Sequence, residues 1–237
     1  MMDRNMPINS EIQNFLDKCG VSGPEQLQIV DSLEKLRQNL QAASKEVNLT
    51  RLTESLDFWT KHVADSLSIL SVCPELRNSS QKLADIGPGA GFPMLPLAFA
   101  NHNLTVYGIE PNGKKADFID SQIDTLSLPN CSTVRMSAKE ASHNDNYRGS
   151  FDIIVARAVS QCDKLIKESR LLLRSDAPSC IVLFKTPEQI ENEKKLAERE
   201  ARKFKLKLHI SKPAQLPLDS GWRQFLIIRH PDPEEVS

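Results

Sequence analysis

From Lys82 onward, short apolar segments alternate with segments of helical spacing, and this alternation constrains the fold more than any other feature. Five segments predict strands: KLADIG, LTVYGIE, CSTVRM, FDIIVARA and SCIVLFK. Helical stretches lie between most of them, at 92–100, 113–126 and 162–173. Such a pattern is typical of an α/β fold in which helices cover both faces of a parallel sheet.

The last part of the chain departs from this alternation. A charged helix is predicted at 188–204, and two strand segments follow it, KLKLHIS and RQFLIIRH, joined by the loop KPAQLPLDSG. Two strands joined by a short loop pair antiparallel most easily. We therefore predict a mostly parallel, seven-stranded sheet that ends in an antiparallel hairpin. This ending is typical of many methyltransferases and is not part of the six-stranded dinucleotide fold.

The first part of the chain predicts helices. The segment NSEIQNFLDKCG has a cap-like Ser10 near its start and a glycine at its end. Apolar residues at steps of three and four indicate two further helices, at 25–44 and around 54–72. We expect residues 1–75 to form an N-terminal helical extension that packs on a core of residues 76–237.

Composition argues against several classes of protein. The formal net charge is −1, so a nucleic-acid site would have to be a local patch. The five cysteines are scattered without a CxxC pair, which argues against a disulfide framework or a zinc site and fits a reducing compartment. No apolar run approaches the roughly 20 residues that span a bilayer. We expect a cytoplasmic protein with no metal site and no membrane partner.

The stretch DIGPGAGF follows the first predicted strand and contains three alternating glycines, Gly87, Gly89 and Gly91. Glycine is this dense where a backbone turns sharply or approaches a ligand closely. The dinucleotide fingerprint requires a small residue three places after its second glycine, and that position is Phe92. The observed pattern, which begins at Asp85, resembles instead the first motif of S-adenosylmethionine-dependent methyltransferases. In those enzymes the loop passes under the cofactor, and the acid lies near its amino group.

A second acidic residue supports the same cofactor. Glu110 ends the second predicted strand, where a carboxylate can accept hydrogen bonds from both ribose hydroxyls. Charge-assisted hydrogen bonds of this kind contribute about 1.5–3 kcal/mol each. The alternative is that Glu110 caps the helix that follows. With the terminal hairpin, the two motifs predict a class I methyltransferase (Rossmann-like) fold that binds S-adenosyl-L-methionine.

The ends of the fourth and fifth strands indicate the chemistry of the methyl acceptor. Methyltransferases of exocyclic amino groups often have an Asn/Asp-Pro-Pro-aromatic turn after strand four, where this chain has VARAVS. Arg157 and Lys185 lie at these strand ends, and their cations suit a phosphate or the O6 and N7 edge of guanine. Methylation at N7 requires alignment of a free lone pair and no general base. The alternative is that both residues are surface charges.

Five segments occur in one order between Val47 and Lys185: VNLTRLTESLDFWTKHVADSLSIL, DIGPGAGFPMLPLA, GIEPNGKKADFI, FDIIVARAVS and VLFK. Together they resemble the bacterial small-subunit rRNA guanine-N7 methyltransferase family, also called glucose-inhibited division protein B or small-subunit rRNA methyltransferase G. The resemblance implies methyl transfer to guanine N7 in 16S rRNA, with 16S rRNA or a small ribosomal subunit particle as the partner.

The resemblance also implies roles for individual residues. Residues expected beside the cofactor and the target base are Asn48, His62 and Asp65. Arg157 and Lys185 are expected as basic residues of the substrate site, and Arg157 is expected, with Phe92, among the cofactor-binding residues as well. Residues whose backbone is expected to lie against the adenine of the cofactor are Ala138, Lys139 and Glu140. The alternative for the histidine and the aspartate is a structural hydrogen bond on one helix shoulder, since they are three residues apart.

The chain departs from the usual pattern of the family at four positions. Ala43 and Ser44 stand where the family has tryptophan and asparagine, Ser137 replaces an arginine, and Thr186 replaces a glycine. These departures leave the cofactor prediction intact and leave open a different RNA target.

The segment KKLAEREARKFKLK, at 194–207, has seven basic and two acidic residues. It indicates contact with RNA phosphates, with a solvated helix of internal charge pairs as the alternative. The small size of the chain suggests a monomer. Two other functions stay open: methylation of another RNA, a small molecule or a protein, and non-catalytic binding of RNA as an assembly factor.

Overall fold

The computed structural model describes residues 8–44, 49, 54–158 and 161–231, apart from the side chains of residues 24 and 25. Two helices come first, α1 (Ser10–Lys18) and α2 (Pro24–Ala43). The helical segment at 55–71 combines α3 (Ser55–Asp57), a π-helical stretch (Phe58–Ala64), α4 (Asp65–Leu67) and a 3₁₀ turn (Ser68–Ser71). Among the described residues, no helix combines the length and the apolar character that crossing a membrane requires.

The centre of the fold is a twisted sheet. Its strands are β1 (Lys82–Ile86), β2 (Thr105–Ile109), β3 (Cys131–Val134), β4 (Ile153–Arg157), β5 (Cys180–Lys185), β6 (Lys207–Ile210), β7 (Ala214–Gln215) and β8 (Trp222–Arg229). Seven strands follow the order β3-β2-β1-β4-β5-β8-β6, and the short β7 pairs with β8. Strands β1 to β5 are parallel, whereas β8 is antiparallel to both β5 and β6. This confirms the predicted parallel sheet with an antiparallel hairpin.

Helices cover both faces of the sheet. One face packs against α1, α2, the 55–71 segment, α5 (Met94–Ala100) and α6 (Gly113–Thr125). The other packs against α7 (Ala138–Ser142), α8 (Cys162–Ser169) and α9 (Pro187–Lys203). Successive strand residues alternate between these faces, so Leu83 and Val155 belong to the first core and Ala84 and Ala156 to the second. The carboxyl ends of β1 to β5 share one edge, which we call the carboxyl edge.

Element boundaries differ from the prediction at a few places. The helix after the glycines was predicted from residue 92 and begins at Met94, because Pro93 precedes it with ψ near 0° as the N-cap. The helix predicted at 162–173 ends at Ser169 and continues as a 3₁₀ turn. Two short elements were not predicted from the sequence, the five-residue helix α7 and the two-residue strand β7.

Candidate active site

The glycine loop leaves β1 at the carboxyl edge, and its three glycines adopt backbone conformations that side chains disfavour. Their φ angles are +67° at Gly87, +62° at Gly89 and +93° at Gly91. A Cβ atom at Gly91 would lie 2.4 Å from Cδ1 of Leu95, so this glycine permits close packing of α5. A Cβ atom at Gly89 would meet no protein atom within 4 Å, so the backbone there faces open space.

Asp85 lies at the end of β1 under this loop and is fully buried. Its Oδ2 accepts a hydrogen bond of 2.9 Å from the backbone N–H of Met94, while its Oδ1 has no partner among the described residues. Burial raises the pKa of Asp85 to about 7, against the lowering effects of the Met94 N–H and of Arg157. The unpartnered oxygen therefore leaves a place for a donor or a cation.

Glu110 follows β2 and is also buried. Its Oε2 accepts from the N–H of Gly89 at 3.1 Å, and its Oε1 accepts from the N–H of Asn112 at 3.0 Å. The cap of α6 is Asn112, whose side chain accepts from Lys115 N–H, so Glu110 does not cap that helix. Each carboxylate oxygen retains a further lone pair for a ligand.

The segment expected against an adenine ring forms the short helix α7. Ser137 is its N-cap, and the carboxylate of Glu140 accepts from the N–H and the hydroxyl of Ser137 in a capping box. These hydrogen bonds hold the pKa of Glu140 below its usual range. Ala138 is buried, whereas Lys139 is exposed. Ser137, a departure from the family pattern, thus has a structural role as a helix cap.

Arg157 ends β4 and points toward the 55–71 segment. Its guanidinium donates to the carbonyl of Lys61 at 2.9 Å and to Oδ2 of Asp65 at 3.1 Å, and its Nη2 lies 3.1 Å from Nδ1 of His62. Burial lowers the pKa of Arg157, but Asp65 and Asp85 oppose this shift and the group stays charged at neutral pH. One guanidinium therefore connects the histidine and the aspartate that the sequence places three residues apart.

Asp65 has a second cationic partner, Arg223 on β8. Nε of Arg223 donates to Oδ1 at 2.5 Å and its Nη2 to Oδ2 at 2.8 Å, a bidentate arrangement. Arg223 was not among the site residues predicted from the sequence. Its position in the chain could have indicated this role. Arg223 lies near the start of β8, and because β8 is antiparallel to β5, it begins at the edge of the sheet where β5 ends.

His62 is buried, and its ring stacks on the ring of Phe92 at 4.4 Å between centroids. Burial and the nearby Arg157 lower the pKa of His62 to about 3, so the imidazole is neutral at physiological pH. The Arg157 guanidinium also lies 5.5 Å from the Phe92 ring. Phe92 follows the glycine loop directly, and its ring points toward the N-terminal helices, where it contacts His62 and Arg157.

Lys185 ends β5 but points to the opposite face from Arg157. Its ammonium donates to both carboxylate oxygens of Glu193 on α9, each at 2.9 Å. Glu193 also accepts from the N–H of Cys162, the first residue of α8, at 3.0 Å. Burial would raise the pKa of Glu193, but these donors hold it below its usual range. Thr186, another departure from the family pattern, is the N-cap of α9.

A cavity of about 410 Å³ opens at the carboxyl edge between these two clusters. Its charged lining residues are Lys61, Asp65, Arg157, Lys185 and Arg223. Each of them has an oppositely charged partner within the described part of the chain. Ala158 also lines the cavity and has a φ of +54°, an uncommon conformation for alanine that is found often at functional sites.

Of the remaining predictions, one falls on a residue outside the described part of the chain, and one falls on a segment away from the cavity. Asn48 lies outside the described residues. The basic segment at 194–207 begins on α9 and runs away from the carboxyl edge, because β6, which follows, starts level with the first residue of β5. At about 1.5 Å of rise per residue, Lys203 lies about 15 Å further along the helix than Glu193.

Comparison with known sequences identifies the family. A family profile described as "GidB: rRNA small subunit methyltransferase G" matches residues 29–215. The chain belongs to this family.

Relatives named ribosomal RNA small subunit methyltransferase G show how far the similarity extends. The protein of Oenococcus oeni is 42% identical over 124 residues, which are 52% of this chain and 51% of the relative. That of Leuconostoc mesenteroides is 37% identical over 66% of this chain and 65% of the relative. That of Gloeobacter violaceus is 31% identical over 89% of this chain and 81% of the relative. The first two alignments thus span about half to two thirds of these methyltransferase G relatives.

Solved structures share the class I methyltransferase fold. TYW2 of M. jannaschii, crystallised in complex with AdoMet, has a TM-score of 0.52 at 15% identity and covers 70% of this chain and 74% of its own. An S-adenosylmethionine-dependent methyltransferase of Aquifex aeolicus has a TM-score of 0.50 at 15% identity, covering 67% and 87%. At these identities the similarity shows the fold alone.

Proposed function

We propose that this protein transfers the methyl group of S-adenosyl-L-methionine to N7 of a guanine in 16S rRNA of the small ribosomal subunit. The observation on which the proposal rests is the arrangement at the carboxyl edge. An open glycine loop with two buried acids lies beside a cavity that four cations line. Phe92 connects the two, because its N–H donates to the carbonyl of Pro88 in the loop and its ring contacts His62 and Arg157 of the cavity. Membership of the methyltransferase G family supplies the reaction class.

The residues around the glycine loop fit the cofactor. The unpartnered Oδ1 of Asp85 suits the cationic amino group of its methionine part, and the open space above Gly89 admits its chain. The free lone pairs of Glu110 suit the ribose hydroxyls. Three further residues would line the adenine through their backbone: Ala138, Lys139 and Glu140.

The bound cofactor supplies a methyl group on a sulfonium, which reacts with a lone pair in line. Guanine N7 has that lone pair without losing a proton, so the site has to align the base and needs no general base. His62 fits this requirement, because with its pKa lowered to about 3 it is only a weak proton acceptor. We assign to Arg157 the task of orienting the base edge or a phosphate at the cavity, with Asp65 and His62 fixing its guanidinium. Lys185 would contribute a second cation, which Glu193 positions.

We also propose how the two parts of the chain divide the task and where in the cell the protein acts. Residues 1–75 would act as an extension whose 55–71 segment forms one wall of the acceptor site, and residues 76–237 as the cofactor-binding core. The protein would act as a monomer in the cytoplasm, where ribosomal subunits assemble.

The test is transfer of labelled methyl groups to small ribosomal subunits that lack base methylation, in parallel with protein-free 16S rRNA. Reduction of the RNA followed by aniline cleavage breaks the chain at N7-methylguanine. One break that depends on enzyme and cofactor is the expected result. Cofactor binding without transfer to either RNA would overturn the proposed substrate, and activity on small molecules alone would favour a different methyltransferase.

A further inference from the structure

Trp222, the first residue of β8, is unusually exposed for its type. The side chain is 48% exposed, and two other large apolar side chains in the described ranges are comparably exposed, Leu27 and Leu56. Trp222 lies beside the cavity described above, because its chain neighbours Ser220 and Arg223 line that cavity. The backbone of Trp222 therefore lies at the rim of this cavity, and its indole ring is exposed to solvent.

The strand register fixes where the ring lies. Gln224 pairs with Lys185, the last residue of β5, so Trp222 extends two residues beyond the carboxyl edge. Strand alternation places Trp222 on the face of Gln224 and opposite that of Arg223. Its backbone is held by pairing with Gln215 of β7. The indole thus lies outside the cavity on a fixed backbone, next to the opening and not within it.

The charge around the opening indicates what this ring would meet. The cavity lining contains one carboxylate, Asp65, and four cationic side chains, Lys61, Arg157, Lys185 and Arg223. Two further carboxylates, Asp57 and Glu193, pair with Lys61 and Lys185, so the cations of this cluster exceed its carboxylates by one. A cationic groove combined with an exposed aromatic ring is the combination with which proteins bind unpaired nucleic acid, since every base has a face that stacks. A surface for another protein would not require the adjacent cations.

We propose that Trp222 is a stacking platform for an unpaired base adjacent to the guanine that enters the cavity. This inference rests on the proposed function, since it assigns a second contact to the same RNA. It adds that the target guanine lies in a single-stranded or splayed region, because a base within a duplex stack cannot place its face on the indole. Trp222 is an RNA-binding residue in this scheme and takes no part in methyl transfer itself.

The test compares three variants on small ribosomal subunits that lack base methylation. Trp222→Ala removes the ring, and Trp222→Phe keeps an aromatic face. Leu27→Ala removes an exposed apolar side chain of α2 that does not line the cavity. We expect Trp222→Ala to raise KM for the subunits about tenfold, the order that one base–aromatic stack contributes. Its kcat at saturating RNA and its affinity for S-adenosylmethionine should stay within about twofold, Trp222→Phe should restore most of the KM, and Leu27→Ala should match the unaltered protein.

The outcomes separate this inference from the proposed function. Transfer by the unaltered protein with the same KM in Trp222→Ala overturns the stacking platform alone. Absence of transfer by the unaltered protein overturns the proposed function and the platform with it. Sedimentation is measured on the same samples, and a change from dimer to monomer in Trp222→Ala would assign the ring to self-association and overturn the RNA contact.

Discussion

The two halves of the carboxyl edge differ in how their polar groups are satisfied. On the β1 and β2 side, Oδ1 of Asp85 has no partner among the described residues and the backbone at Gly89 faces open space. On the β4, β5 and β8 side, the charged groups of the cavity are already paired, with Arg157 and Arg223 on Asp65 and Lys185 on Glu193. One half is incomplete without a ligand, and the other is preassembled.

This difference indicates how each half works. Buried polar groups are normally hydrogen-bonded, so the unsatisfied half is suited to a small ligand that supplies the missing donors. The satisfied half holds its cations in fixed directions before any substrate arrives, which suits alignment of a base. We therefore expect changes in the first half to affect cofactor binding, and changes in the second to affect stability and turnover.

The largest effect is expected when the preassembled half loses its shared anion. Asp65→Ala would remove the buried carboxylate that the largely buried Arg157 and Arg223 share, and breaking a buried ion pair in this way costs about 3–5 kcal/mol. Urea unfolding should show this loss of stability, together with loss of methyl transfer.

The matched control for that change is Asp57→Ala, which removes the partner of Lys61 in the same helical segment. Both side chains of that pair are about 40% exposed or more, so its loss should cost at most about 1 kcal/mol. Equal stability losses in the two aspartate variants would contradict a preassembled cavity.

The next effect concerns the unsatisfied half. Asp85→Asn keeps the shape and the acceptor for Met94 N–H but removes the negative charge. If the carboxylate holds the cationic amino group of the cofactor, the loss is about 1.5–3 kcal/mol, or about ten- to a hundredfold in affinity. Calorimetric titration with S-adenosylmethionine measures it. Wild-type affinity in this variant would remove the cofactor contact that we assign to Asp85.

Affinity for the cofactor should also depend on pH through Asp85. Its pKa in the unliganded protein is raised to about 7, so below that pH the carboxyl must lose a proton before it can pair with a cation. Affinity should fall up to about tenfold per pH unit below about pH 7. The unliganded protein should show the opposite trend, because a raised folded-state pKa stabilises it at low pH and this stability is lost as the pH rises through about 7.

Asp85→Asn serves as the matched control for this prediction, because its affinity for the cofactor should not change with pH over the same range. A pH dependence that persists in this variant would assign the proton to another group.

The sequence was sufficient to predict the features that depend on local pattern. Strand and helix periodicity predicted the sheet with its terminal hairpin, and the alternating glycines predicted the loop, because only glycine readily adopts the φ of +62° at Gly89. Asp85 and Glu110 were predicted at strand ends, where the structure has them.

The pairings within the cavity could not be predicted in the same way. Arg157 and Asp65 are 92 residues apart, and Arg223 and Asp65 are 158 apart, so no spacing in the sequence connects them. The π-helical stretch that contains His62 also breaks the 3.6-residue period used to assign its face. From the sequence alone, Arg157 and Lys185 were therefore predicted as cations without a partner in the protein, although each is bound to a carboxylate.

The smallest expected effect tests whether any group in the preassembled half exchanges a proton during turnover. With its pKa lowered to about 3, His62 stays neutral and its Nδ1 can accept from Arg157. At saturating cofactor and RNA, kcat should therefore be flat between about pH 5.5 and about pH 8. A fall in kcat near the usual pKa of histidine, about 6.5, that disappears in His62→Gln would show that His62 titrates in the working enzyme. The histidine would then act as an acid or base, and the cavity would not be fixed before the substrate binds.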